Sequence, residues 1–254
     1  GLVQAVTLNS ADSPIDVHLV LDLGSNRLTG LLVEDKPPSQ IGEGIRLTDC
    51  YPLQIRDLSS PGHVYDEPMD SRIEFTIPSI GPLNWSRMAR GAGDSFIWPS
   101  PVRVGPEANR LAACSREENG PTGLSSPKRY LYDTRLRDEM QWYFNDSRPD
   151  SPGGGDLAAS GYTPFLTRVN EAGFPVSAMD DENLPRAMKE HVHDKSGTGG
   201  FRACYSLSST MMFLLSEVIS HALSTINSPV VREKRGVHPK VPRRLKSILL
   251  TVPT

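Results

Sequence analysis

Cysteine is scarce in this sequence: Cys50, Cys114 and Cys204 are the three among 254 residues. They are odd in number, widely spaced and in no metal-ligand pattern. That excludes a disulfide scaffold and a zinc ribbon, and it points to a reducing, cytoplasmic compartment. Long apolar runs are missing too. The longest, Met211-Met212-Phe213-Leu214-Leu215, falls far short of the roughly 20 residues of a membrane span. No signal-peptide pattern opens the chain. Neither sign of charge dominates, since 27 Lys and Arg against 30 Asp and Glu leave a net charge of −3. Nucleic acid or an anionic membrane held by a global field is thereby excluded. No Gly-Lys pair occurs, so a Walker-type loop is absent.

What is present suits a globular protein. Hydrophobic residues make up 37%, enough for a sizeable core, and the length fits one or two domains. The 21 glycines and 22 prolines exceed the usual combined share of about 12%, so much of the chain is expected as loop. The first residue is Gly rather than Met and the last stretch is the strand-like "ILLTVPT". A fragment of a longer protein is therefore expected.

β-Branched and Leu-rich runs at 16–22 ("DVHLVLD") and 28–34 ("LTGLLVE") flank a Gly-Ser-Asn-Arg turn and predict a hairpin. Short strands are expected within 45–56, at 72–77 ("RIEFTI") and at 101–105 ("PVRVG"). "EANRLAAC" (107–114) has helical spacing, with Ala108, Leu111 and Ala112 on one face. Ser-Ser-Pro at 125–127 predicts the start of a helix over 125–144. Residues 206–226 give the clearest helix, with Ser208 or Ser209 as its N-cap, Met211, Met212 and Phe213 as core, and a buried stripe through Val218, Ile219, Ala222 and Ile226. A further short helix is expected at 183–193. The connector 231–246 holds seven Lys or Arg against Glu233 and reads as a solvated loop. A buried strand follows at 247–252. Mixed strands and helices of this kind predict an α/β fold.

The stretch that carries the most chemistry is the hairpin turn. Gly24 permits close approach of a phosphate, Ser25 and Asn26 add donors, and successive N–H groups can form an anion nest. Asp22, at the end of the first strand, is placed to hold Mg²⁺ through its waters. His191 and His193 lack a third ligand nearby and read as a surface pair. The Gly-rich stretches 152–156 and 196–200 read as flexible loop.

"VRVGPEANRLAACSREENGPTGLSSPKRYLYD" (102–133) resembles a segment of DnaK-type heat-shock chaperones that reads V-G-x-x-A-x-R-x-A, a spacer, then K-R-x-[IL]. Val104, Gly105, Ala108, Arg110 and Ala112 match the first part; Lys128, Arg129 and Leu131 match the second. Asp22 to Asn26 resembles that family's Asp-Leu-Gly-Thr-Thr phosphate loop, and "ILLTVPT" its strand ending V-T-V-P-A. Nearly the whole chain is similar to the SrfB family of bacterial virulence factors, above all in "WPSPVRVGPEANRLA", "TGLSSPKRYLYD", "ALSTINSP" and "PRRLKSILLTVPT".

These resemblances imply the first half of an actin-like, ribonuclease-H-type ATPase fold. Residues 1–15 would be a lead-in, 16–133 the core with the phosphate loop, 134–205 a loop-rich inserted subdomain, and 206–254 the core helix, basic connector and terminal strand. The strands near 17–22 and 247–252 would lie side by side. Gly24, Ser25, Asn26 and Arg27 would cradle the β/γ-phosphates of ATP, Asp22 would help hold Mg²⁺, and Lys128 would be the catalytic residue near the γ-phosphate. Arg27 departs from the chaperone pattern, and its bulk and charge bear on phosphate binding. The second phosphate loop, the adenosine pocket and the water-activating carboxylate would follow residue 254. The implied activity is an ATP–Mg²⁺-dependent conformational switch coupled to a protein partner, in the bacterial cytoplasm or associated with a secretion system. Two alternatives remain open: a phosphatase of the exopolyphosphatase type, whose loop reads D-L-G-S-N-S, and a scaffold that has lost its nucleotide.

Overall fold

The computed structural model describes residues 13–35, 49–76, 100–115, 121–134, 142–143, 145, 206–235 and 238–251. Strand β1 (Ile15–Leu23) and strand β2 (Arg27–Glu34) pair antiparallel, from Val17 opposite Glu34 to Leu23 opposite Leu28. Val17, Leu19, Leu21 and Leu23 are buried, while Asp22 between them is exposed. One packed face imposes that period of two.

Strand β3 (Cys50–Pro52) extends the sheet beyond β2. A small ribbon follows, of β4 (Ile55–Arg56) and β5 (Val64–Tyr65), and then β6 (Met69–Asp70), which also pairs with β2 beside the turn. Strand β7 (Arg72–Phe75) is the centre of a three-stranded sheet with β8 (Val102–Val104) and β9 (Gly123–Ser125). Helix α1 (Gly105–Cys114) leaves β8 directly, and a 3₁₀ turn (Pro127–Tyr130) follows β9.

Helix α2 (Leu207–Asn227) and the short α3 (Pro229–Arg235) lead to β10 (Arg243–Thr251). Strand β10 lies parallel to β1, with Ile15 opposite Arg243 and Asp22 opposite Thr251. Parallel neighbours need a long crossover, and α2 and α3 lie in it directly before β10. The expected side-by-side placement of the first and last strands is observed, and the main sheet runs β10-β1-β2-β3.

Apolar residues spaced by three and four form the inner face of α2. Met211, Leu214, Val218, Ala222 and Ile226 are buried with Val17, Leu19 and Leu21 of β1 in one core. Each large side chain so buried contributes about 1.5–3 kcal/mol. Phe213 meets Phe75 of β7 edge-on with ring centroids 5.4 Å apart, and Trp142 lies on Phe75 at 5.4 Å. The same helix ties both sheets together. By length and composition α2 could cross a membrane, with a mean hydropathy of 1.2, but 61% of that stretch is buried inside the fold.

Several expectations need correction. The helix expected over 125–144 is, in its described part, only the 3₁₀ turn, because Ser126 adopts a left-handed conformation (φ 57°) and turns the chain. The N-cap of α2 is Ser206, whose hydroxyl accepts the Ser209 N–H at 3.3 Å. The expected strand within 45–56 is split into β3 and β4. The basic connector is not a solvated loop. Residues 229–235 are helical, and Arg232 and Arg243 are buried. Strand β10 begins at Arg243, and Ile248, Leu249 and Leu250 are 40–51% exposed rather than buried. The helix at 183–193, His191, His193, both Gly-rich stretches and Cys204 lie outside the described residues, as does most of 134–205.

Candidate phosphate-binding site

The turn between β1 and β2 is tight enough to require its glycine. A Cβ on Gly24 would lie 2.7 Å from the Arg27 carbonyl oxygen. Asp22, Ser25, Asn26 and Arg27 around it are exposed, so the donors and the carboxylate face solvent at one end of the main sheet.

Three later segments converge on this turn. The Ser71 N–H donates to the Asn26 carbonyl at 2.8 Å, and the Ser126 N–H donates to the Ser71 carbonyl at 2.6 Å. The 3₁₀ turn after Ser126 then brings two basic residues to the hairpin. Lys128 Nζ donates to the Leu23 carbonyl at 2.6 Å, and Arg129 Nη2 donates to Asn26 Oδ1 at 2.8 Å. From β10, Thr251 Oγ1 donates to Asp22 Oδ1 at 2.8 Å. The structure therefore gathers the residues that the sequence assigned to the phosphate site: Asp22, Gly24, Ser25, Asn26, Arg27 and Lys128. It adds Arg129 and Thr251, which sequence reasoning placed within matching stretches but gave no role.

The block "VGPEANRLA" works behind the turn. Gly105 has φ +63°, a conformation that favours glycine. Glu107 accepts the N–H groups of Leu58 (2.8 Å) and Ser59 (3.0 Å) and lies 3.6 Å from Arg103, both side chains 2% exposed. Arg110 pairs with Asp57 at 2.6 Å, and Asn109 donates to Asp70 at 2.7 Å. Asp70 is the strand partner of Arg27. The block thus fixes the 57–60 loop and β6, and β6 flanks the turn.

The far end of the sheet is built differently. Glu34 lies 3.4 Å from both Arg235 Nε and Arg243 Nε and accepts the Tyr51 hydroxyl at 3.1 Å. The Arg235 guanidinium sits 4.3 Å above the Tyr51 ring. Burial, and then the Glu34 charge, pushes the Tyr51 hydroxyl well above its ordinary value. Desolvation lowers Arg232 from its usual range. Nearby, the Lys246 hydrogen bond, with Arg244 behind it, holds Asp16 below the usual carboxylate value.

No group of three or more His, Cys, Asp or Glu converges as a metal cage among the described residues. Asp22 still fits Mg²⁺ held with phosphates, because that ion keeps most of its waters and takes one or two carboxylates. One of its oxygens is engaged by Thr251, which fixes the carboxylate at the rim of the turn.

At this level the molecule is a mixed α/β protein that collects a polar turn, one carboxylate and two basic side chains at one end of its main sheet. Its sequence places it more narrowly. The family model described as virulence factor SrfB matches residues 2–254, and the chain belongs to the SrfB family. No curated protein and no solved structure matches the chain.

Proposed function

We propose that this virulence-factor chain forms the first part of an actin-like ATPase domain. In the full-length protein it would bind ATP with Mg²⁺ and act as a conformational switch coupled to a protein partner. One observation carries the reading: Lys128 reaches across 105 residues of sequence to bond the carbonyl of Leu23, at the foot of the turn. The parallel pairing of β1 with β10, as the resemblance implied, supports it.

In this reading the turn from Gly24 to Arg27 holds the β/γ-phosphates, and Asp22 holds Mg²⁺ through water. An ammonium group has three donors, so Lys128 keeps two for a γ-phosphate after bonding Leu23. Phosphoryl transfer asks mainly for positioning and charge neutralisation, which these groups supply. Closure around the nucleotide would then report its state to the partner.

The test is nucleotide binding by the full-length protein. Mg–ATP at millimolar concentration is expected to raise the melting temperature, and Asp22→Asn is expected to abolish that shift. No shift for the unaltered protein would leave a nucleotide-free scaffold. Release of phosphate from polyphosphate but not from ATP would instead mark an exopolyphosphatase-type activity. Residues 1–254 alone are expected to bind nucleotide weakly or not at all.

A further inference from the structure

We infer that Arg129 is a positioning residue that turns Asn26 into a dedicated anion donor. The inference rests on the phosphate-site reading above. Arg129 Nη2 donates to Asn26 Oδ1 at 2.8 Å, while the Asn26 backbone carbonyl is taken by the Ser71 N–H at 2.8 Å. Both acceptor groups of residue 26 are therefore occupied from the protein side.

A guanidinium can only donate, so the atom of the amide that faces it must be the oxygen. The end of the Asn26 side chain turned away from Arg129 is its NH₂ group, two donors and no acceptor. An exposed amide left to itself turns either end to a ligand. Held this way it favours only an acceptor, and a phosphate chain is acceptor-rich and anionic. The guanidinium adds a positive charge beside the same point, and its neighbour Lys128 adds another at Leu23, before the turn. The 3₁₀ geometry places consecutive residues on these two anchors, with the Arg129 N–H itself bonded to the Ser126 carbonyl at 3.0 Å. The ligand class is a di- or triphosphate rather than a neutral or cationic group.

The experiment compares Mg–ATP and Mg–tripolyphosphate binding by the full-length protein for the unaltered chain, Arg129→Ala, Asn26→Ala, the double variant and Asn26→Asp. Melting without ligand checks that each folds. Arg129→Ala is expected to weaken binding roughly ten- to hundredfold, the range of one charge-assisted hydrogen bond. That loss should shrink markedly in the Asn26→Ala background, where no amide is left to orient and only the guanidinium charge still acts. Asn26→Asp keeps the contact with Arg129 as an ion pair but removes the donors. It should retain its melting temperature and lose binding, which a purely structural role would not produce. Additive losses, or normal binding by Asn26→Asp, would overturn the positioning role while leaving the phosphate site standing. Absence of binding to either ligand by the unaltered protein would overturn the phosphate site and this inference together.

Discussion

The two ends of the β1–β2 hairpin use charge in opposite ways. At the turn, Asp22, Asn26 and Arg27 are exposed, and the bonds given to the first two come from segments far along the chain. At the other end Glu34 is 7% exposed and is met by Arg235, Arg243 and Tyr51 together. A buried carboxylate needs that saturation because an unpaired charge in the interior is costly. An exposed one does not, so its remaining valence is open to a ligand. The same strands thus carry a structural electrostatic cluster at one end and a receptive one at the other.

Glu34→Ala should break this contrast most severely. It leaves Arg243, 4% exposed, buried without its carboxylate, and the expected loss is about 3–5 kcal/mol of unfolding free energy, read from urea denaturation. Gly24→Ala comes next. Its Cβ would press on the Arg27 carbonyl at 2.7 Å, and relief of such overlap costs about 1–3 kcal/mol. A loss near zero would show that the turn can open freely.

Tyr51 sharpens the comparison through pH. Its hydroxyl titrates above the unfolded value of about 10, so between that value and the raised folded one the unfolded chain releases a proton that the folded chain keeps. Stability from this group is full below pH 10 or so and falls as pH rises from there. Tyr51→Phe should flatten that alkaline decline in pH-dependent denaturation. Asp22→Asn should have the smallest effect on stability, within about 0.5 kcal/mol, because the side chain is exposed. Large destabilisation there would mean that the turn, like the far end, uses its charge for structure.

The difference also explains what the sequence made legible. The hairpin and α2 were readable because their signals are local: two apolar runs around a Gly-Ser-Asn-Arg turn, and spacings of three and four from Phe213 to Ile226. The turn was readable because Asp-Leu-Gly-Ser-Asn is itself a local pattern. The Glu34 cluster was not, since Arg243 lies 209 residues away and the charges of the connector looked solvated when counted alone. The helix expected after Ser-Ser-Pro failed for a related reason. Lys128 and Arg129 donate to Leu23 and Asn26, acceptors over 100 positions earlier, and those bonds favour a short 3₁₀ turn over a continuing helix.

The parallel seam between β1 and β10 has a consequence for biosynthesis. Between Glu34 and Arg243 lie 208 residues, which a ribosome adds in roughly 10–40 s at about 5–20 residues per second. The first hairpin can form early, but β1 must wait that long for its neighbour. For most of that interval Val17, Leu19 and Leu21 have no α2 to cover them, since the helix that buries them is translated from residue 207 onward. Nascent chains arrested before β10 should therefore present a protease-accessible hairpin that becomes protected only once Thr251 has left the exit tunnel.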